Sequence, residues 1–306
     1  MNGTDGRIQE GRTPGAAPKE PAPVHTFAVC AYGDSPYLEE CLASLKRQSV
    51  PSEIICCTST PSPYIRELTG RFRIPLYVRD KAEVSGKKEN NIREDWLFAW
   101  RQASGRLVTI AHQDDIYRRD YAKELLRAWE AHPDLLVFVS DYLTLKMTEQ
   151  GARPEPFSPV WLVKKLLRLP LRLTPLTGLR AVKRSSVLFG NALCCPACTY
   201  NKERIGDEMF SSDYEFALDW DNLYELAGRP GRFVCVEKPL LAYRVHAGAE
   251  TSACIRDQRR AREELSMFQK MWPGWAARLL MHFYRNAYKE YQTEEEADSE
   301  GRPENG

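Results

Sequence analysis

The feature that most constrains this fold is an alternation of short apolar runs with longer amphipathic runs between residues 24 and 145. Such alternation is typical of β-α units stacked around a mostly parallel central sheet with helices on its faces, so we predict an α/β fold. The predicted strands span residues 26–32, 53–58, 75–78, 106–111 and 135–141, and the predicted helices span residues 36–48, 63–71, 90–103 and 119–131.

Composition argues against several classes of protein. The 43 basic residues nearly balance the 42 acidic residues, so no overall electrostatic field favours nucleic acid or an anionic membrane. Nine cysteines at irregular positions make a poor disulfide framework and fit reduced thiols in a cytoplasmic protein. Cys195 and Cys198 have C-x-x-C spacing, but no second pair completes a zinc site, so we favour core packing over redox or metal chemistry.

The two ends of the chain differ from its middle. Residues 1–24 are rich in Gly, Pro, Ala and charge and lack the apolar core of a signal peptide, which predicts a disordered arm. Residues 291–306 are acidic and predict a second disordered segment. No stretch reaches the roughly 18 consecutive apolar residues that indicate a transmembrane helix.

Residues 146–180 interrupt the alternation. Proline recurs there at positions 154, 156, 159, 170 and 175, which indicates an insertion rather than another β-α unit. Within it, residues 161–173 combine aliphatic side chains with four cations. We favour an amphipathic helix packed on the body of the protein, and a helix lying on a membrane or across an acceptor groove is the second interpretation.

Polar residues follow several of the predicted strands. Asp34 follows the first strand, Thr58 ends the second, and Asp114 and Asp115 follow the fourth. Because the carboxyl ends of parallel strands meet at one edge of a sheet, these residues and the later Asp219 can share one crevice. An aspartate pair also arises by chance, and a solvated turn or helix cap is its alternative interpretation.

Carboxylates at such an edge suit a phosphorylated ligand. Their hard oxygen atoms, together with Mg²⁺ or Mn²⁺, neutralise the negative charge of a nucleoside diphosphate. With a sugar nucleotide, the same cation would stabilise the departing diphosphate. A separate carboxylate would then accept the proton of an acceptor hydroxyl.

Five stretches of the chain resemble family 2 glycosyltransferases with the GT-A fold. They are residues 30–34 (Cys-Ala-Tyr-Gly-Asp), residues 44–49 (Ser-Leu-Lys-Arg-Gln-Ser), Gln113-Asp114-Asp115 as a version of the DXD motif, residues 218–221 (Leu-Asp-Trp-Asp), and residues 243–246 (Tyr-Arg-Val-His). The resemblance covers about residues 26–248 and implies a GT-A sheet flanked by helices.

The resemblance implies roles for the residues on the donor side. Ala31, Tyr32 and Asp34 would border the nucleobase and the ribose. Asp114 would face the ribose or the diphosphate, and Asp115 would bind Mn²⁺ or Mg²⁺.

Two stretches depart from the family pattern. Where an acidic pair and Gly-Ser are common, residues 57–61 read Cys-Thr-Ser-Thr-Pro, so we expect Thr58 and its neighbours to recognise the base through hydroxyl or backbone groups. The usual Ala-Arg-Asn stretch is replaced by residues 93–97, which leaves Asp95 as a weaker donor-pocket candidate and favours Trp96 as a core residue.

The resemblance also implies the general base and a further ligand. Asp219 matches the base, although Asp221 competes for that role and a solvated acid in the first turn of a helix is the structural alternative. His246 would be a further ligand to the metal or the diphosphate, and an ordinary capped turn is an equal alternative.

Together these features predict an inverting, metal-dependent glycosyltransferase that moves a sugar from a nucleoside-diphosphate-sugar to a glycan, lipid-linked or other hydroxyl acceptor, in surface polysaccharide or glycoconjugate synthesis. Residues 25–145 would form the nucleotide-sugar-binding half, and residues 181–290 the half with the acceptor site and the base. We expect a cytoplasmic enzyme. The second interpretation of residues 161–173 adds peripheral contact with the inner face of the membrane.

Two alternatives to this function stay open. Nucleotidyl transfer uses a similar sheet, but it usually needs a Gly-rich phosphate loop that does not follow the first predicted strand here. A non-catalytic sugar-nucleotide-binding or scaffold protein is the other alternative, and the presence of Asp114, Asp115 and Asp219 argues against it.

Overall fold

The computed structural model describes residues 23–80, 91–148, 150–155, 157–246 and 258–285. The predicted disordered tail, residues 291–306, lies outside these ranges, and so does the predicted arm, apart from residues 23 and 24. In the described parts of the chain, no helix combines the length and the apolar character that crossing a bilayer requires.

The strands and helices alternate through the first half of the chain, as predicted. In order, the elements are β1 (His25–Ala31), α1 (Leu38–Lys46), β2 (Glu53–Thr58), α2 (Pro63–Arg71), β3 (Leu76–Val78), α3 (Asn91–Gln102), β4 (Leu107–His112), β5 (Ile116–Tyr117), α4 (Tyr121–Ala131), β6 (Leu135–Thr148), β7 (Gly151–Glu155), α5 (Pro159–Leu167), α6 (Arg180–Ser185), β8 (Cys198–Asn201), α7 (Lys202–Ile205), α8 (Leu218–Gly228), β9 (Arg232–Val245), α9 (Arg259–Met271) and α10 (Gly274–Tyr284). Short 3-10 helices span Leu169–Arg172, Thr174–Leu176 and Cys195–Ala197.

These strands form one mixed sheet in the order β3-β2-β1-β4-β8-β6-β9-β5, with β7 paired to β6. The first four strands are parallel to one another, and β6 is parallel to β9. The short strand β8 runs antiparallel between β4 and β6. The predicted α/β fold with a mostly parallel sheet is therefore confirmed.

Apolar side chains cover both faces of the sheet. Phe27 and Ala28 are adjacent in β1 but belong to different buried clusters, as expected when a strand is buried on both sides. The Phe27 cluster includes Tyr117 of β5 and residues of α1 and α4, whereas the Ala28 cluster includes residues of α3, α8, α9 and α10.

The pairing of β5 with β9 shapes the carboxyl edge of the sheet. β5 begins immediately after Asp115, and its Ile116 is paired with Ala242 of β9. This pairing brings the last residues of β9 alongside the aspartate pair, although about 130 residues separate them in the sequence. The carboxyl end of β9 therefore lies at the same edge as the loops that follow β1 and β4.

Candidate active site

A cavity of about 510 Å³ lies where β1 and β4 end. A volume of this size is within the range of small-molecule sites. The predicted site residues that line it are Ala31, Tyr32, Asp95, Asp114, Asp115 and Asp219. Residues from α5, α8, α9 and α10 form other parts of its wall, so the two halves of the fold face each other across one space.

Gln113 fixes the backbone at the end of β1. Its side-chain carbonyl accepts a hydrogen bond from the Tyr32 amide at 3.0 Å, and its side-chain amide donates to the Tyr32 carbonyl at 2.9 Å. Two bonds from one planar amide set both the position and the direction of this backbone. The Tyr32 ring is left 56 % exposed at the cavity, which suits a contact with a flat ligand.

Asp114 is held through both of its carboxylate oxygens. Ser35 Oγ donates to Asp114 Oδ1 at 2.7 Å, and His246 Nε2 lies 3.4 Å from Asp114 Oδ2. Burial acts to raise the pKa of Asp114, but the contacts with His246 and Ser35 outweigh it and hold the pKa below its ordinary value. The carboxylate is therefore ionised at neutral pH.

Asp115 is the more buried member of the pair and has one oxygen available. Its Oδ1 accepts from the backbone amide of Arg244 at 2.9 Å, whereas its Oδ2 is buried and has no hydrogen-bond partner among the described residues. Burial raises the pKa of Asp115 well above its ordinary value, opposed by the Arg244 amide. A cation at Oδ2 would favour the ionised form instead.

These features fit a divalent metal. A hard carboxylate oxygen that is buried and lacks a donor is what Mg²⁺ or Mn²⁺ binds, and Asp114 adds a second carboxylate. In the parts of the chain that the structure describes, no group of three His, Cys, Asp or Glu side chains could hold a metal alone. The remaining ligands would have to come from a bound diphosphate and from water, as is common for Mg²⁺ sites.

Arg244 packs beside the aspartate pair at the carboxyl edge of the sheet. Its guanidinium donates to Glu40 at 2.6 Å and lies over the Tyr37 ring at 4.2 Å from the ring centre. The side chain is almost fully buried and reaches the cavity, and it brings a positive charge close to the aspartate pair. The sequence showed Arg244 only as part of a motif, without a partner.

Three predicted donor-side residues lie outside the cavity lining. Asp34 accepts from Ser62 Oγ at 2.5 Å, next to the start of α2. Thr58 is buried and accepts a hydrogen bond from the Thr60 amide at 3.0 Å. His246 packs on Tyr37, with 4.7 Å between ring centres, and its ring contacts Asp114, which lines the cavity.

Asp95 and Trp96 belong to α3 and line another part of the cavity. Asp95 accepts from Arg79 at 2.9 Å and from Ser59 at 3.0 Å, which ties α3 to the loop after β2. Trp96 stacks on His112 at 5.3 Å and also packs against the core, so it is both a core residue and a part of the cavity wall. Burial lowers the pKa of His112 to about 4, and this ring is neutral at pH 7.

Asp219 lies in the first turn of α8, where the helix dipole favours a negative charge. Its Oδ1 accepts from the Trp220 amide at 2.7 Å, and its Oδ2 accepts from Asn191 Nδ2 at 2.8 Å. Burial nevertheless raises the pKa of Asp219 to about 6, opposed by these donors and by Lys164. A carboxylate with this pKa is ionised at pH 7 and can still accept a proton.

Asp221 has different surroundings. It is 7 % exposed, accepts from Lys270 Nζ at 2.6 Å, and is not among the residues that line the cavity. Lys270 also donates to Glu225 at 2.6 Å, so Asp221 belongs to an ionic cluster between α8 and α9. Of the two acids in this turn, only Asp219 reaches the cavity.

The loop before α8 is fixed by a glutamate of α9. The Glu263 carboxylate accepts from three successive backbone amides, those of Glu215, Phe216 and Ala217, at 2.7–3.0 Å. Glu215, Phe216 and Ala217 line the cavity and lead directly into Asp219. The position of Asp219 therefore depends on a residue more than 40 positions later in the chain.

Asn191 is held in place by a special backbone conformation. The preceding Gly190 has φ of +127°, a region that other residues rarely adopt, and a Cβ atom there would collide with the Tyr284 ring. The sequence alone does not place Asn191, Lys164 or Glu263 near Asp219. No periodic pattern in the sequence connects these residues to Asp219. The glycine before Asn191 is the one sequence feature that marks an unusual backbone conformation there.

Comparisons with known proteins identify the family and the fold. The sequence profile of the family described as "Glycosyl transferase family 2" matches residues 26–189, which is more than half of the chain. A search of curated proteins found no significant match.

Two solved structures illustrate the similarity of fold. TarS 1-349 of S. aureus in complex with UDP-GlcNAc is 15 % identical, with 88 % of this chain and 73 % of that chain covered and a TM-score of 0.51. The mannosyltransferase PcManGT of Pyrobaculum calidifontis in complex with GDP-Man and Mn²⁺ is 17 % identical, with 87 % and 73 % covered and a TM-score of 0.53. At these identities the likeness concerns the fold.

Proposed function

The chain belongs to glycosyl transferase family 2, and we propose that it is an inverting, metal-dependent enzyme that moves one sugar from a nucleoside-diphosphate-sugar to a hydroxyl acceptor. The observation that carries this proposal is that the Asp114-Asp115 pair and Asp219 face one cavity from opposite halves of the fold. A transferase needs this arrangement, because the leaving group and the attacking hydroxyl must lie on different sides of the sugar.

On the donor side, Asp115 would hold Mn²⁺ or Mg²⁺ through its buried Oδ2, with Asp114 as the second carboxylate. A divalent ion bound there would supply positive charge to the departing diphosphate. Gln113 would keep the Tyr32 backbone in place beside the nucleobase. Ala31, Asp34, Thr58, Asp95 and His246 complete the proposed donor side, with Asp34, Thr58 and His246 acting from behind the lining.

On the acceptor side, Asp219 would remove the proton of the attacking hydroxyl. Its raised pKa, about 6, suits proton acceptance near neutral pH. Asn191 would orient the carboxylate by its hydrogen bond to Oδ2, and Glu263 would hold the loop that precedes it. One base and one displacement imply inversion at the anomeric carbon.

Donor, acceptor and cellular location are finer parts of the proposal. The neighbours' complexes with UDP-GlcNAc and with GDP-Man and Mn²⁺ make uridine and guanosine donors the first to assay. We propose a glycan, lipid-linked or other hydroxyl acceptor in surface polysaccharide or glycoconjugate synthesis. The eight cysteines in the described part of the chain are free thiols, which supports a cytoplasmic enzyme, and residues 161–173 are the proposed peripheral contact with the membrane.

The test is an assay of product release. The protein is incubated with UDP-, GDP- and dTDP-sugars, with and without Mn²⁺, and released nucleoside diphosphate is measured. We expect metal-dependent release with at least one donor. Release of sugar 1-phosphate in place of the nucleoside diphosphate would indicate transfer of the nucleotidyl group instead, and metal-dependent donor binding without turnover under a panel of acceptors would indicate a sugar-nucleotide-binding protein.

A further inference from the structure

A basic apolar segment, residues 157–180, stands out from the rest of the chain. No acidic residue occurs between Glu155 and Glu203, although the whole chain is close to neutral, with a net charge of +1. Residues 157–180 carry five cations. Arg168 and Arg172 are paired with Asp141 and Glu237, and Lys164 lines the cavity, so Lys165 and Arg180 remain as the cations of the outer surface. A local excess of positive charge on a nearly neutral protein points to a local, negatively charged partner.

The same segment exposes an unusual amount of apolar side chain. The exposed apolar residues are Phe157, Leu162, Val163, Leu166, Leu169, Leu173, Leu176 and Leu179, and each is at least 40 % exposed. All nine residues of α5 are described, and none of them is buried. Val160, Trp161 and Leu167 are half-buried, so one side of α5 lies against the body of the protein, whereas Leu162, Val163 and Leu166 are left exposed.

Specific contacts hold the segment in this outward orientation. Arg168 is buried and donates to Asp141 at 2.7 Å, and Leu171 is buried next to it. Further along, Arg232 donates to the Thr174 carbonyl at 2.7 Å. Because these anchors tie the segment to β6 and β9, its leucines are exposed in a folded, fixed structure.

We propose that the basic apolar segment docks the enzyme on the surface of an anionic phospholipid bilayer. Leucine and phenylalanine side chains would enter the boundary between headgroups and acyl chains, while Lys165 and Arg180 would face the anionic headgroups. Arg180 is exposed, and Lys165 lies over the Trp161 ring with its ammonium 4.6 Å from the ring centre. Aromatic and cationic side chains in this combination are typical of the membrane interface.

A bilayer fits this surface better than a second copy of the chain. Two copies joined through this segment would bring like charges together, which is unfavourable. Nucleic acid would match the charge but would leave the exposed leucines in water. An anionic bilayer offers both an apolar layer and negative charge.

The docking surface adjoins the reaction cavity. Lys164 belongs to α5 and lines the cavity, and its charge lowers the pKa of Asp219. Docking would therefore bring the acceptor side of the cavity close to the membrane. The proposed function leaves the class of acceptor open. If that function holds, a membrane-docked cavity favours a lipid-linked acceptor over a soluble glycan, and this inference rests on the proposed function.

The test is flotation of the full chain with vesicles of phosphatidylcholine alone and of phosphatidylcholine mixed with phosphatidylglycerol. We expect binding to the mixed vesicles, weakened by salt, and at least about tenfold less binding to the neutral vesicles. The double variants Leu162→Gln/Leu166→Gln and Lys165→Glu/Arg180→Glu should each lose about tenfold or more. Leu162, Leu166 and Arg180 are exposed and Lys165 is half-buried, so the thermal unfolding midpoint should change little, and this is measured in parallel.

Matched controls make the result specific. The exposed pair Lys46→Glu/Arg47→Glu on α1 reverses the same amount of charge, and Tyr77→Gln on β3 removes an exposed ring; both should bind like the wild type. The proposal would be overturned by equal binding to both vesicle types or by equal losses in the control variants. It would also be overturned if the protein self-associates and Leu162→Gln/Leu166→Gln abolishes that self-association. Mn²⁺-dependent binding of UDP or GDP should be the same in all variants, so its absence from the wild type would reject the proposed function and leave the vesicle result standing.

Discussion

The proposed donor and acceptor sides of the cavity are built in different ways. On the donor side, Gln113, Asp114 and Asp115 directly follow β4, and their partners come from the ends of β1 and β9. On the acceptor side, Asp219 begins a helix, Asn191 comes from an irregular loop, and the loop before the helix is fixed by α9. A regular sheet edge thus faces a wall assembled from several irregular segments.

This difference separates two tasks. Binding a diphosphate requires fixed charges, and the end of a central strand is the most rigid place to hold them. Recognising an acceptor requires a shape that can vary, and loops provide that variation. Substitutions on the acceptor side should therefore change the rate of transfer, while substitutions on the donor side should change binding of the nucleotide.

The largest effect is expected from Asp219→Asn, which removes the base and keeps its size. The rate of nucleoside diphosphate release in the presence of acceptor should fall by about 10²- to 10⁴-fold, because general base catalysis contributes an amount of this order. Binding of UDP or GDP, measured by calorimetry, should be unchanged. Loss of nucleotide binding together with the rate would contradict the division between the two sides.

Asp221→Asn is the matched control, two residues along the same helix. It breaks the ion pair with Lys270, so the free energy of unfolding should fall by about 1 kcal/mol while the transfer rate changes less than about threefold. A large loss of activity in this variant with full activity in Asp219→Asn would exchange their roles.

The second effect concerns pH. Asp219 must be ionised to accept a proton, and burial raises its pKa to about 6. As pH falls below 6, kcat/KM should therefore decrease about tenfold per pH unit, because only the ionised fraction is active. A profile of kcat/KM against pH at saturating Mn²⁺ measures this, and a rate that is constant down to pH 5 would reject Asp219 as the base.

A smaller effect is expected from Asn191→Ala. The hydrogen bond from Asn191 stabilises the ionised form of Asp219, so its loss should raise the pKa of Asp219 and move the acid limb of the pH profile to higher pH. At neutral pH kcat should fall about tenfold. Asn191→Asp would place a second negative charge beside Asp219 and should shift the limb further in the same direction. An unshifted limb with reduced kcat would indicate a structural role alone.

The smallest effect is expected from Gln113→Ala. Without the two bonds to Tyr32, the backbone beside the nucleobase is less fixed, so the donor KM should rise about threefold to tenfold while kcat stays unchanged. Initial-rate kinetics with varied donor give both constants. A reduced kcat with an unchanged KM would place Gln113 in the chemical step instead.

The difference between a regular sheet edge and irregular loops also explains which parts of the structure could be predicted from the sequence. The alternation of apolar runs predicts β2 as 53–58 and α2 as 63–71 to the residue, and it predicts β1 and β4 to within one residue, because strands buried on both faces leave a clear pattern. The aspartate pair followed from its place after β4. Asp219 could be proposed only through a resemblance.

Other features left no usable pattern in the sequence. The antiparallel strand β8 is four residues long and fills the gap between β4 and β6, a pairing that depends on tertiary contacts. Asn191 and Glu263 reach the surroundings of Asp219 from 28 and more than 40 positions away. The exposed leucines of α5 resemble a core face in sequence, because composition alone cannot show whether a helix faces the body or the outside.

The measurement that tests the central claim most directly is calorimetric titration of UDP and GDP into the wild type and into Asp115→Asn, each with and without Mn²⁺. If Asp115 holds the cation for the donor diphosphate, Mn²⁺ should strengthen binding of one nucleotide by at least about tenfold in the wild type and should have no effect in Asp115→Asn. Asp221→Asn should behave like the wild type. An equal gain from Mn²⁺ in Asp115→Asn would contradict the claim.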